Sequence, residues 1–187
     1  RMGCEVLDAG CLPDDPQQIR QQLAALEDID LLLSSGGVSV GEADYLGQLL
    51  REEGEVNFWR LALKPGKPMT FGRYRGMSFI GLPGNPVSTL VTMTILARPW
   101  ILRRMGMRDV APLCFPVPVD FAISQAGSRR EFLRVGWRHG RAQLYDNQCS
   151  GILSSAAWAD GLLELPEGST CQPGDLLNFY PFSELLA

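Results

Sequence analysis

The residues best able to do chemistry stand in two loops. The first follows a short apolar strand predicted at 31–33 and reads Ser34-Ser35-Gly36-Gly37-Val38-Ser39-Val40-Gly41. Its glycines free the backbone for positive φ and for close approach to a ligand. Consecutive N–H groups in such a loop form an anion-binding concavity, and the start of the next helix adds partial positive charge. Ser34, Ser35 and Ser39 supply hydroxyls. Asp44 then sets a carboxylate beside the concavity. That suits an anion if a divalent cation is shared between carboxylate and phosphate; the plainer use of Asp44 is to favour the N-terminus of the helix.

The second loop, Lys64-Pro65-Gly66-Lys67-Pro68, holds both lysines of the chain; every other cationic residue is arginine, apart from one histidine. Two prolines stiffen it and Gly66 lets it turn. It either solubilises a turn or holds an anion. Asp14 is a further candidate, because Asp15 caps the helix that Pro16 opens and leaves Asp14 without a capping role, as a solvated turn residue or a ligand. Gly81-Leu82-Pro83-Gly84-Asn85-Pro86 is a second strand-to-helix turn, in which Asn85 caps and Pro86 opens the helix.

These loops need elements to position them. The spacing predicts a strand over 4–9, a helix over 17–27 with Ile19, Leu23 and Leu26 on one face, and a helix over 45–53. Strands follow over 56–63, 69–74 and 77–82, then a mostly apolar helix over 86–104 bent at Pro99. Alternating strands and helices imply a parallel αβα sandwich, with ligands beyond the carboxyl ends of the strands. Asp14 and the three loops are expected to line one crevice there. From about residue 109 helix signals fade. Strands over 113–121, 131–138, 141–145, 161–165 and 175–180, with one short helix over 152–159, suggest a small β-barrel. The expected division is 1–108 and 109–187. Arg129, Arg130 and Arg134 gather at the second of these strands, and Gln148-Cys149-Ser150-Gly151 forms a polar turn.

Composition narrows the function. A net charge of −4 argues against a broadly basic nucleic-acid surface, and no run of about 18 apolar residues is present to span a membrane. Five cysteines are odd in number, scattered and never spaced as CxxC, which points to a reducing, cytoplasmic compartment and away from zinc or a disulfide framework. The single histidine, His139, lies in a predicted hairpin turn, so His-dependent nucleophilic catalysis has no support.

DDP at 14–16, SSGGVSVGEADY at 34–45, FWRLALKPGKP at 58–68, GLPGNPVS at 81–88 and ADGLLELPEG at 159–168 together resemble the C-terminal half of the MoeA-type molybdopterin molybdenumtransferases, relatives of the gephyrin E domain. The resemblance implies a three-layer αβα sandwich of the MoaB/Mog type, incomplete at its N-terminus, followed by the β-barrel. It implies insertion of molybdate into adenylylated molybdopterin with release of AMP, aided by Mg²⁺. Carried over by motif, Asp14 and Asp44 serve the metal and the phosphoanhydride, and Lys64 is catalytic. Lys64, Lys67, Arg134 and Ser150 hold molybdate. Ser34, Ser35, Gly36, Gly37, Ser39, Gly41, Pro83, Gly84, Asn85 and Pro86 bind the pterin substrate. Arg60 stands where some relatives have lysine.

The resemblance further implies a homodimer, a site completed by N-terminal domains, and hand-over from an adenylyltransferase or to molybdoenzymes. Residues 1–187 alone are then expected to have little activity. Two other readings share the fold: a non-catalytic molybdopterin-binding or scaffold module, and a molybdopterin adenylyltransferase or CinA-like domain. Retention of Asp14, Asp44 and both lysines favours the enzyme over the scaffold. The β-rich tail favours it over the adenylyltransferase.

Overall fold

In the computed structural model, residues 2–37 and 44–186 are described, apart from the side chain of Phe58. Ser39 and Gly41 lie outside the described residues. The first elements are α1 (Pro16–Ala24), β1 (Leu31–Ser35), α2 (Tyr45–Glu53), β2 (Gly54–Arg60), β3 (Leu63–Lys64), β4 (Pro68–Tyr74) and β5 (Met77–Leu82). Then come α3 (Pro86–Thr92), a π-helical turn (Met93–Ala97), α4 (Arg98–Arg104), β6 (Phe115–Pro118), β7 (Arg130–Arg138) and β8 (Arg141–Leu144). The last are α5 (Ser154–Trp158), β9 (Gly161–Leu165), β10 (Leu176–Pro181) and α6 (Phe182–Leu185). They form two compact units. One draws its described residues from Gly3–Leu61 and Pro68–Gly84, the other chiefly from Ala62–Lys67 and Asn85–Ala187.

The first unit is a four-stranded sheet in the order β1-β5-β4-β2. The expectation of a parallel sheet is corrected: only β1 and β5 run parallel, and the other two pairs are antiparallel. The cause is local. Arg75 at φ 49° and Gly76 at φ 85° close a tight turn that folds β5 back on β4, and such left-handed pairs match the twist of a hairpin. Helices α1 and α2 are amphipathic and bury Ile19, Leu23, Leu46, Leu49 and Leu50 against Tyr74 and Phe79 of the sheet. Asp15 caps α1 as expected, accepting from the N–H groups of Gln17 and Gln18 at 2.8 and 3.0 Å. The strand predicted over 4–9 does not form; Val6 and Leu7 are 83% and 63% exposed. Apolar alternation makes a strand only where a neighbour completes its ladder, and none pairs with it among the described residues.

In the second unit the helix predicted over 86–104 is divided by its π-helical turn, with Pro99 in the first turn of α4. Pro99 offers no N–H to the carbonyl of Ile95 and its ring crowds that carbonyl, so the hydrogen bonding changes register there. A six-stranded sheet follows the path β3-β7-β9-β10-β6, with β8 also on β7. Its core is Val117, Val119, Leu133, Val135, Leu163, Leu165 and Phe179 with their neighbours. The barrel expectation is corrected to an open sheet. Its ends meet only through an isolated bridge between Val119 and Ala142, where Asp120 N–H donates to the Ala142 carbonyl at 3.1 Å.

Charge ties α1 to α2 and to the β4–β5 turn. Arg20 Nε donates to Glu53 at 2.7 Å, and Tyr74 Oη and Arg75 donate to the same carboxylate at 3.3 Å. The bond from Arg20, more than the other two, holds the Glu53 carboxyl below its usual 4.5. A carboxyl depressed in the folded state stabilises fully above its unfolded value, and that contribution is lost as pH falls through the folded one. Glu53→Gln should therefore flatten the acid limb of stability below about pH 4.5. Urea midpoints of parent and variant measured across that range would check it; parallel acid limbs would be the contrary result.

Candidate functional site

In the first unit the site is built where β1 and β5 end side by side. Gly36 (φ 79°) and Gly37 (φ 65°) turn the chain out of β1 through conformations that disfavour a side chain. Gly36 N–H donates to the Leu82 carbonyl at 3.0 Å. A Cβ on Gly36 would come 3.7 Å from Gly84 Cα, so the Ser-Gly and Pro-Gly loops touch backbone to backbone. Ser35 is exposed and Pro83 is buried. Ser34 Oγ is buried without a hydrogen-bond partner, and so is Thr70 Oγ1. Ser34 and Thr70 flank Gly81 in register on neighbouring strands. Thr70 carried no signal in the sequence, since a threonine is ordinary in a strand.

Asp44 does two things. Its Oδ1 accepts from Gly47 N–H at 2.7 Å and caps α2, which is the plainer role. Its Oδ2 is buried and has no partner among the described residues, and a carboxylate oxygen left in that condition is costly. The cap requires glycine at 47, because a Cβ there would stand 2.5 Å from Oδ2. Asp14 is exposed, and no hydrogen bond joins it to Asp44 among the described residues.

The second unit gathers its polar groups around Arg134 of β7. Leu133 and Val135 enter the core, so strand alternation sends Arg134 to the opposite face. There it is 1% exposed. Nε donates to Ser155 Oγ at 3.2 Å, Nη1 to the Phe132 carbonyl at 3.5 Å and Nη2 to the Cys149 carbonyl at 3.3 Å. All three acceptors are neutral. Burial pulls the Arg134 pKa below its ordinary value, yet a guanidinium keeps its charge in proteins. Among the described residues this buried cation is held without a carboxylate, and a guanidinium has five N–H donors, more than those three bonds engage.

The 145–150 turn is held to β7 by Gln148, whose amide accepts from Arg134 N–H at 3.0 Å and donates to the carbonyls of Arg134 and Tyr145 at 3.0 and 2.9 Å. Ser150 is therefore fixed next to Cys149. Ser150 Oγ accepts from Asn85 Nδ2 at 3.1 Å, while its carbonyl accepts from Val87 N–H at 3.1 Å. The expectation that the Asn85 side chain caps α3 is corrected: it makes no capping bond. Ser155 and Gln148 were not singled out as site residues, because their roles depend on Arg134 turning inward.

The lysines behave differently from one another. Pro65 and Gly66 are buried, and a Cβ on Gly66 (φ 123°) would stand 2.6 Å from Thr92 Cγ2, so the loop is packed on α3. Lys64 Nζ pairs with Glu131 at 3.0 Å. Lys67 is exposed and has no partner among the described residues. The groups brought together in this unit are thus Arg134, Cys149, Ser150 and Asn85, with Lys64 on Glu131.

A glycine loop at the end of β1 in an α/β unit, with a β-rich region after it, defines the class: a MoaB/Mog-like domain followed by a MoeA-type C-terminal domain. The chain belongs to the family described as "Probable molybdopterin binding domain", whose model matches residues 1–103, and residues 116–182 match "MoeA C-terminal region (domain IV)". It is 43% identical to a molybdopterin molybdenumtransferase of Haemophilus influenzae over all of this chain and 48% of that protein. It is 35% identical to the molybdenum cofactor synthesis protein cinnamon of Drosophila melanogaster, over 87% of this chain and 28% of that one. The crystal structure of a molybdopterin biosynthesis MoeA protein from Pyrococcus horikoshii superposes with a TM-score of 0.70 at 28% identity, covering 89% of this chain and 40% of the other. The chain thus spans about half the length of the Haemophilus relative.

Gly47→Ala should displace the Asp44 carboxylate and lose its cap, at a cost of about 1–2 kcal/mol. Chemical denaturation of the variant would read this; an unchanged midpoint would mean that Asp44 does not need glycine opposite it.

Proposed function

We propose that the protein acts in molybdenum cofactor biosynthesis, inserting molybdate into adenylylated molybdopterin with release of AMP. The observation that carries this is Arg134, a buried guanidinium whose acceptors among the described residues are all neutral, one of them the carbonyl of Cys149, the residue before Ser150. A tetrahedral oxyanion suits such a place, because cationic donors make the stronger, charge-assisted hydrogen bonds. The relatives named as molybdopterin molybdenumtransferases support the choice of oxyanion.

In this reading Arg134, Ser150 and Lys67 donate to molybdate. Lys64 shares its charge with Glu131 and so contributes less than its motif implies. The backbone of Gly36 and Gly37, with Ser34, Ser35, Pro83, Gly84 and Pro86, receives the pterin substrate, and Ser39 and Gly41 keep the role the resemblance gives them. The orphaned Oδ2 of Asp44 fits a divalent cation. Asp44, with Asp14, would hold Mg²⁺, whose chemistry there is to polarise the phosphoanhydride. Asp44 keeps its orientation through Gly47 N–H. The proposal extends to a cytoplasmic homodimer that exchanges substrate and product with an upstream adenylyltransferase and with molybdoenzymes. It also takes 1–108 and 109–187 as the two domains, since the two family models lie on either side of that boundary.

Arg134→Ala, Ser150→Ala and Lys67→Ala should each weaken molybdate binding, Arg134→Ala by roughly 10- to 100-fold for a lost charge-assisted bond. Isothermal titration of the folded variants with molybdate is the measurement. Parent-like affinity in both Arg134→Ala and Ser150→Ala would remove molybdate from this site.

A further inference from the structure

Asn85 stands at the N-cap position of α3, a position where asparagine ordinarily turns its side chain back onto the helix. Here it does not. The Val87 N–H, one of the helix's first donors, is already taken by the Ser150 carbonyl at 3.1 Å. The exchange is reciprocal: the backbone of Ser150 satisfies the helix, and the side chain of Asn85 is released to donate to Ser150 Oγ at 3.1 Å.

The direction of that second bond matters. A serine hydroxyl has one hydrogen and two lone pairs. With a lone pair occupied by Asn85 Nδ2, the hydrogen is left to point elsewhere. Among the described residues Ser150 Oγ has no acceptor of its own. It lies one residue from the Cys149 carbonyl that takes Arg134 Nη2. Among the described residues neither Ser150 Oγ nor Arg134 is hydrogen-bonded to a carboxylate, and each keeps a hydrogen that those bonds do not engage.

We infer that Asn85 is a positioning residue for oxyanion binding, fixing the Ser150 hydroxyl as a donor toward the anion that Arg134 attracts. It touches no substrate atom in this role and acts through Ser150. The inference rests on the reading of Arg134 and Ser150 as oxyanion ligands. It differs from a plain docking role, in which Asn85 would serve only to attach the 147–151 turn to α3. Either role needs a hydrogen bond between 85 and 150, but only the first depends on which residue donates.

Two substitutions separate the roles. Asn85→Ala removes the bond. Asn85→Asp keeps a bond between the same positions and reverses it, since an ionised carboxylate only accepts and would take the hydroxyl hydrogen for itself. Aspartate is also as good an N-cap as asparagine, so the Asn85→Asp protein should fold with an unchanged or higher denaturation midpoint. Molybdate is the probe, read by isothermal titration on parent, both variants, and both variants in the Ser150→Ala background. Asn85→Ala should weaken binding about 10-fold and Asn85→Asp on the order of 100-fold. In the Ser150→Ala background Asn85→Ala should add no more than about twofold, and any residual effect of Asn85→Asp there measures its charge alone. In turnover, Asn85→Ala should raise the KM for molybdate by a larger factor than it lowers kcat.

Asn85→Asp binding as tightly as the parent, with Asn85→Ala weakened, would assign Asn85 to docking and overturn the inference. Equal losses with and without Ser150 would overturn it too, because the effect would not pass through the hydroxyl. If Ser150→Ala and Arg134→Ala themselves bind molybdate like the parent, the oxyanion reading of the site fails as well. Weakened binding in those two beside parent-like Asn85 variants would sink the positioning role alone.

Discussion

The constraint behind the candidate site is an electrostatic one: a guanidinium removed from water on the far face of a strand whose other face is apolar core. Moving a cation into that environment costs several kcal/mol, and three neutral oxygen acceptors offset only part of it. Arg134 is there because Phe132, Cys149 and Ser155 each bring an acceptor to it. Cys149 can do so because Gln148 binds the Arg134 backbone as a neighbouring strand would. Gln148 thus ties the 145–150 turn to the strand that carries the buried charge, while Ser150 joins the same turn to α3.

The first unit shows the same tension with the opposite sign. Asp44 is buried with one oxygen engaged and one left over. A capping role alone would be met by a side chain with a single acceptor, such as serine. The second oxygen is therefore surplus to the helix. The hydroxyls of Ser34 and Thr70, buried and unpartnered on either side of Gly81, mark the same end of the sheet as one whose polar groups are not satisfied by the fold itself.

Much of this was legible in the sequence. The apolar spacing of Ile19 and Leu23, and the Asp15-Pro16 pair, fixed α1 at its true start. Tyr45–Glu53 and Gly161–Leu165 were read to the residue, because Asp and Gly signals flank them. What was not legible depends on partners. The stretch at 4–9 has strand alternation without a ladder to join. The parallel sheet turned mixed because a two-residue turn at Arg75-Gly76 outweighs the strand–helix rhythm. Asn85 carried a sound capping signal, yet a backbone carbonyl 65 residues away took over its task. Glu131, which neutralises Lys64, belongs to a strand far along the chain, and spacing has nothing to say about it.

The meeting of Val119 with Ala142 has a consequence for how the second sheet yields. Adjacent strands elsewhere in it are laced by successive pairs, five between β7 and β9 and four between β9 and β10. At the Val119 seam a single bridge stands in for a ladder. Parting it breaks fewer pairs than separating β7 from β9 or β9 from β10, and only the short β3, joined to β7 by two pairs, is held as lightly. The seam is thus a weak edge of this sheet, while β7, with Arg134 on it, is paired on both sides.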